Sequence, residues 1–129
     1  MAVPILEEVI ARIGNLLPGT IIPKPRANNH RILRWGERNG EDALIYSIPK
    51  KKTAPVKNNE KGITVTEWQT AYNQLITSQE ITREWFNTDT IMERCRNEGD
   101  CNFTTIGGIF VLIGLATRIR TGSYSLIEN

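Results

Sequence analysis

The chain has 129 residues, 40% hydrophobic and 23% charged with a net charge of +2, which suits an ordinary soluble globular protein with one core. The longest apolar run, Ile106–Ala116, is 11 residues against the ~20 a membrane-spanning helix needs, so such a helix is excluded. Two cysteines and one histidine are too few for a structural zinc site, which takes about four such ligands.

Residues 3–17 place Val3, Leu6, Val9, Ile10, Ile13, Leu16 and Leu17 at helical spacing, with Glu7, Glu8 and Arg12 on the other side. This predicts an amphipathic helix, ended by Pro18-Gly19. Glu7 and Glu8 within the apolar pattern, without a basic leader, argue against a secretory signal, so the expected location is cytoplasmic. Pro23-Lys24-Pro25 reads as extended, because proline disfavours helix in the residue before it. Arg31–Trp35 and Ala43–Ile48 flank Asn39-Gly40, a pair that tolerates positive φ, and predict a β-hairpin closed by Pro49. Trp35 and Tyr46 are expected to pair across it. Lys50–Gly62 is polar and basic and contains Pro55, the pattern of a mobile loop.

Three helices are predicted next. Thr64-Val65-Thr66-Glu67 is a capping box, and the helix after it carries Trp68, Ala71, Tyr72, Leu75 and Ile76 on one face. The second begins near Thr82 with Trp85 and Phe86, and continues through Thr90–Arg96 with a second box, Thr90 to Glu93. Gly99 suits a helix C-terminus. The third helix spans about Phe103–Ala116. Thr117–Arg120 and Ser123–Ile127 then form a terminal hairpin around Thr121-Gly122. Cys95 and Cys101 are expected to be free thiols.

Charge is segregated. Residues 24–61 carry ten basic side chains against four acidic ones, a local +6, and the remainder carries six against ten, or −4. Nucleic-acid-binding proteins place their electrostatic footprint in this way, so Arg31, Arg34, Arg38, Lys50, Lys51, Lys52 and Lys57 are candidate phosphate contacts.

The third helix is apolar all round. Ile106, Ile109, Phe110, Ile113 and Ala116 share one face, and Thr104, Gly107, Gly108, Val111, Leu112 and Leu115 share the other. A helix of this kind is normally buried. The second face therefore needs a cover: the N-terminal helix, a second copy of the chain or another partner. Gly108, Val111, Leu112 and Leu115 are the expected interface, with Leu112 buried.

Helix, helix, helix, hairpin, with Ile113-Gly114-Leu115-Ala116 leading into Arg118-Ile119-Arg120 and Tyr124, resembles a winged helix-turn-helix domain over residues 63–127. The resemblance implies a third helix near the major groove. That helix lacks the long polar side chains that read bases. Thr104 and Thr105 at its start, and Arg118 and Arg120 on one side of the wing, are the contacts it leaves for phosphates.

No catalytic residue, cofactor or metal is expected. The single histidine, His30, lies in a polar turn, and no glycine pattern fits a nucleotide loop. The fold class expected is α+β, one compact domain over residues 1–129. It comprises a helix and β-hairpin (1–49), a basic loop (50–62) and a winged-helix-like half (63–129). The function expected is a small nucleic-acid-binding protein of regulatory or accessory type. The alternative is a protein-interaction or homodimerisation module using the apolar third helix. Neither a membrane nor a small-molecule substrate is expected as a partner.

Overall fold

The computed structural model describes residues 4–48 and 59–127, and their fold is α+β. Helix α1, Leu6–Gly14, buries Val9 and Ile13 and keeps Glu7 and Glu8 in its first turn, where the helix dipole favours acids. It ends before the predicted Leu16-Leu17, and Leu17 is exposed. Val3 lies outside the described residues.

Strands β1 (Arg31–Arg38), β2 (Glu41–Ile48) and β3 (Asn59–Thr64) form an antiparallel sheet in that order. Asn39 and Gly40 turn the hairpin at φ 53° and 79°. Two expectations are corrected here. Trp35 lies opposite Leu44 and Tyr46 opposite Ile32, so the two aromatics do not pair. The last part of the expected loop, Asn59–Gly62, is strand, although Lys61 and Gly62 give it little apolar pattern. Lys50, Lys51, Lys52, Pro55 and Lys57 lie outside the described residues.

Helix α2, Val65–Ser78, starts at the capping box, with both the Thr64 and Glu67 side-chain bonds made. Its Trp68, Ala71, Tyr72 and Leu75 are buried. A short strand that the sequence did not announce, β4 (Glu80–Thr82), follows. Helix α3, Arg83–Thr88, is capped by Thr82. The chain then breaks where a continuous helix was expected. Asp89 takes the backbone N–H groups of Ile91 and Met92 on its carboxylate, so helix α4, Glu93–Glu98, starts without the predicted Thr90 box. Gly99 is the C-cap of α4, at the helix C-terminus expected of it, with extended backbone at φ −178°.

Helix α5, Asn102–Leu112, stops short of Ala116 because Gly114, at φ +82°, turns the chain and Leu115 donates back to Phe110 O. Strands β5 (Ala116–Arg120) and β6 (Ser123–Leu126) make the terminal hairpin, and β4 completes a second sheet in the order β4-β6-β5.

One core joins all of this. Ile32, Leu44, Tyr46 and Ile63 from the first sheet meet Trp68, Phe86, Phe103, Ile106 and Phe110 in one buried cluster. The cover over the second face of α5 comes from the same chain. A Cβ on Gly107 would lie 2.2 Å from the Tyr124 ring, and one on Gly108 would lie 2.3 Å from Pro23 O. The extended Ile22-Pro23 segment, not α1, seals Gly108. Leu115 is buried, whereas Val111 and Leu112 are only half-buried, so the expectation of a buried Leu112 is corrected.

Gly107→Ala tests this packing. In an open helix the change would stabilise by about 1 kcal/mol through propensity. Against the Tyr124 ring, overpacking outweighs that gain and should leave the protein about 1–3 kcal/mol less stable, read as a lower urea midpoint.

Candidate nucleic-acid interface

The register of the first sheet decides where its arginines point. Arg31 faces Ser47 and Ile32 faces Tyr46, but Arg34 faces Ile45, so Leu33 is an extra residue in a β-bulge. Ser47, Ile45, Ala43 and Glu41 alternate along β2 and share one side of the sheet. Arg31, Arg34 and Arg38 therefore line that same side. Without the bulge, Arg31 would point the opposite way. Gly36 and Gly62 leave room beside Ile45, and Arg38 runs over Gly62, where a Cβ would lie 2.8 Å from its Cγ.

Acids of the chain occupy two of these three arginines. Arg34 pairs with Glu60 at 2.9 Å, both half exposed. Arg38 reaches Glu98 of α4, whose carboxylate also accepts the Gly62 N–H at 3.0 Å. Arg31 has no carboxylate within 4 Å among the described residues and donates to Gly19 O at 3.0 Å. Ile48 and Asn59 pair with each other at Arg31's end of the sheet. The chain between them holds Lys50, Lys51, Lys52 and Lys57.

The wing arginines do not share a side. Arg118 lies opposite Tyr124 and Arg120 opposite Ser123, neighbours that face opposite ways. A bulge at Ile119 causes this and corrects the expectation that strict alternation keeps the two together. Arg118 donates to Thr121 Oγ1, and Arg120 lies 3.9 Å from Glu80.

The start of α5 is also not free. Lys24 Nζ donates to Cys101 O at 2.9 Å, Thr104 Oγ1 at 2.9 Å and Thr105 Oγ1 at 2.6 Å. Thr105 is buried and Thr104 half-buried. The hydroxyls that the sequence offers to a phosphate are thus taken by the chain's own ammonium group. Burial pulls the Lys24 pKa down to about 8; the Cys101 sulfur draws it up and the Arg83 charge pushes it further down. Tyr46 closes the cluster: its hydroxyl donates to Asn102 Oδ1, lies 3.3 Å from Cys101 Sγ, and its ring centroid is 5.8 Å from Lys24 Nζ. Burial pushes the Tyr46 phenol far up, so it stays neutral.

Sequence reasoning missed Lys24, Tyr46 and Arg83 as one group, because they are far apart in the chain. The one local signal is the pair of prolines that pins Lys24 in extended backbone. Both cysteines are free, and among the described residues no cluster of three His, Cys, Asp or Glu side chains could hold a metal. A shallow cleft of about 500 Å3 between α1 and β1, lined in part by Ile10, Gly14, Trp35 and Val65, has Asp42 as its one titratable side chain. That leaves it without an acid–base pair. No helix among the described residues is long and apolar enough to cross a membrane. Comparison with protein-family models, curated proteins and solved structures returned no match to this chain.

The buried Lys24 has a measurable consequence. The unfolded chain keeps this proton up to the ordinary lysine value of 10.5, while the folded chain releases it near 8. Between those limits the unfolded state binds more protons, so folding stability rises with pH through this group. The stability of the wild type relative to Lys24→Met should therefore climb between pH 8 and 10, measured as the difference in urea midpoints. A flat difference would mean that Lys24 keeps its ordinary titration in the fold.

Proposed function

We propose that this chain is a small nucleic-acid-binding protein of regulatory or accessory type that grips the phosphate backbone and reads little sequence. One observation carries the reading. The β1 bulge gathers Arg31, Arg34 and Arg38 on one side of a sheet whose Arg31 end is where the lysine-bearing residues 49–58 leave and rejoin it. Clustered basic side chains neutralise phosphates and release counterions whatever the base sequence. Glu60 and Glu98 hold Arg34 and Arg38 in fixed positions, and a phosphate exchanges with the exposed Glu60 carboxylate on Arg34 at small cost.

Base reading through α5 is not part of the proposal. The helix is walled by Tyr124 and Pro23 along its length and by Lys24 at its start. The winged-helix likeness of residues 63–127 enters only as scaffold: four helices and a hairpin packed against the first sheet.

A second reading, a protein-interaction or homodimerisation module, draws on the half-buried Val111, Leu112 and Ile113 at the end of α5. Salt separates the two. Backbone binding through about six phosphates gives a log–log slope of affinity against salt near −5. An apolar interface responds little.

Gel-shift titration at low salt should detect micromolar or weaker binding to duplex DNA of any sequence. Arg31→Ala combined with Lys50, Lys51 and Lys52→Ala should weaken it at least tenfold and flatten the slope. Absence of any shift with the wild type at low salt overturns the reading.

A further inference from the structure

Two side chains capable of positive charge meet the turn between α4 and α5, and a third, His30, stands behind them across the Tyr46 ring. Lys24 Nζ binds Cys101 O at 2.9 Å, and Arg83 Nη1 binds the preceding carbonyl, Asp100 O, at 2.8 Å. The His30 ring lies 6.4 Å from the ring of Tyr46, whose other neighbour is the Lys24 ammonium, 5.8 Å from its centroid. All three are half-buried, and none has a carboxylate within 4 Å among the described residues. Buried charges are normally paired, so like charges left together form an uncompensated positive field. The strain of that field is visible on its members. Burial, and then the Lys24 charge, lower the His30 pKa. His30 Nδ1 is buried without a hydrogen-bond partner.

We infer that this junction binds an oxyanion of the phosphate class, held directly by Arg83 and neutralising the joint field of Arg83 and Lys24. The inference rests on the backbone-binding reading and gives it a second anchor point, distinct from the arginine side of the first sheet. Arg83 suits direct contact. Its guanidinium is stacked 4.8 Å from the Phe103 ring and 5.9 Å from the Phe86 ring, which fixes its plane. Only one of its donor nitrogens is engaged by Asp100 O, leaving N–H groups for a forked bond to phosphate. Lys24 spends its three donors on Cys101, Thr104 and Thr105, so it acts by charge alone. The backbone N–H groups at the start of α5 are not free for an anion. Asn102 N and Phe103 N already donate to Gly99 O and Asp100 O. Two acids stand near. Glu98 is occupied by Arg38 and Gly62, and the Asp100 carboxylate is exposed.

The chain's single histidine makes the test direct, because its ring signals in proton NMR are unique. Titrating inorganic phosphate into the full chain should shift the His30 resonances and raise the midpoint of their pH titration, since a bound anion favours the imidazolium. Arg83→Gln should weaken that response at least tenfold. Asp100→Asn, a surface change that leaves the fold intact, should strengthen it. The same variants are then tested with a single-stranded oligodeoxynucleotide. If free phosphate is silent but Arg83→Gln weakens oligonucleotide binding tenfold, the phosphate comes from the nucleic-acid backbone and the site stands. If phosphate leaves His30 unmoved in the wild type and in Asp100→Asn, and Arg83→Gln binds the oligonucleotide as tightly as the wild type, the site is overturned. In that case loss of binding in the Lys50, Lys51, Lys52→Ala variant would still uphold the broader reading. Should Arg83→Gln fail to fold, Asp100→Asn decides the matter alone.

Discussion

The fold depends on giving α5 an apolar partner on every side. No face of Phe103–Leu112 offers water a long polar group, so the helix is stable only where other elements surround it. Two adjacent glycines make that enclosure possible. Gly107 admits the flat ring of Tyr124 from the second sheet, and Gly108 admits the backbone of Ile22-Pro23 from the other half of the chain. The loss of helix propensity, about 1 kcal/mol per glycine, is offset by close packing that any Cβ would prevent. The remaining elements arrange themselves around this centre, with Trp68 set against its Phe110, Tyr124 against its Phe103, and α1 capping one end through Arg12 and Ile113 O.

That enclosure changes what the charge pattern means. Residues 24–61 look strongly basic as a string, but folding pairs Arg34 with Glu60 and Arg38 with Glu98 and sets Lys24 inside the α5 junction. Several of the positive charges that suggest a polyanion partner therefore also hold the two halves together. Among the described residues of this run, Arg31 has no carboxylate within 4 Å.

Much of the architecture was legible where a local physical rule dominates. Asn39-Gly40 turned the hairpin because those residues accept positive φ. The Thr64/Glu67 box began α2 because both side chains satisfy backbone donors within three residues. What escaped was set by distant partners. The strand β4 is three residues long and exists because β6 pairs with it. The bulges at Leu33 and Ile119, which gather one pair of arginines and separate another, follow from register against a neighbouring strand. Asp89, not Thr90, orders the turn that leads into α4, a contest between two adequate polar side chains that spacing does not decide. The Lys24 cluster unites residues almost eighty positions apart, and no window along the chain contains it.

The late position of α5 also has a consequence for synthesis. Part of the apolar side of the first sheet, at Tyr46 above all, waits for residues that begin at Asn102. On a ribosome adding roughly 5–20 residues per second, the 64 positions from Tyr46 to Phe110 take roughly 3–13 s. Through that interval the nascent hairpin has its sticky side uncovered and its natural cover still unmade. Lys50, Lys51 and Lys52 follow directly behind β2, where charge discourages one nascent strand from joining another. A basic run in that place in the sequence has the pattern of a gatekeeper flanking an aggregation-prone strand.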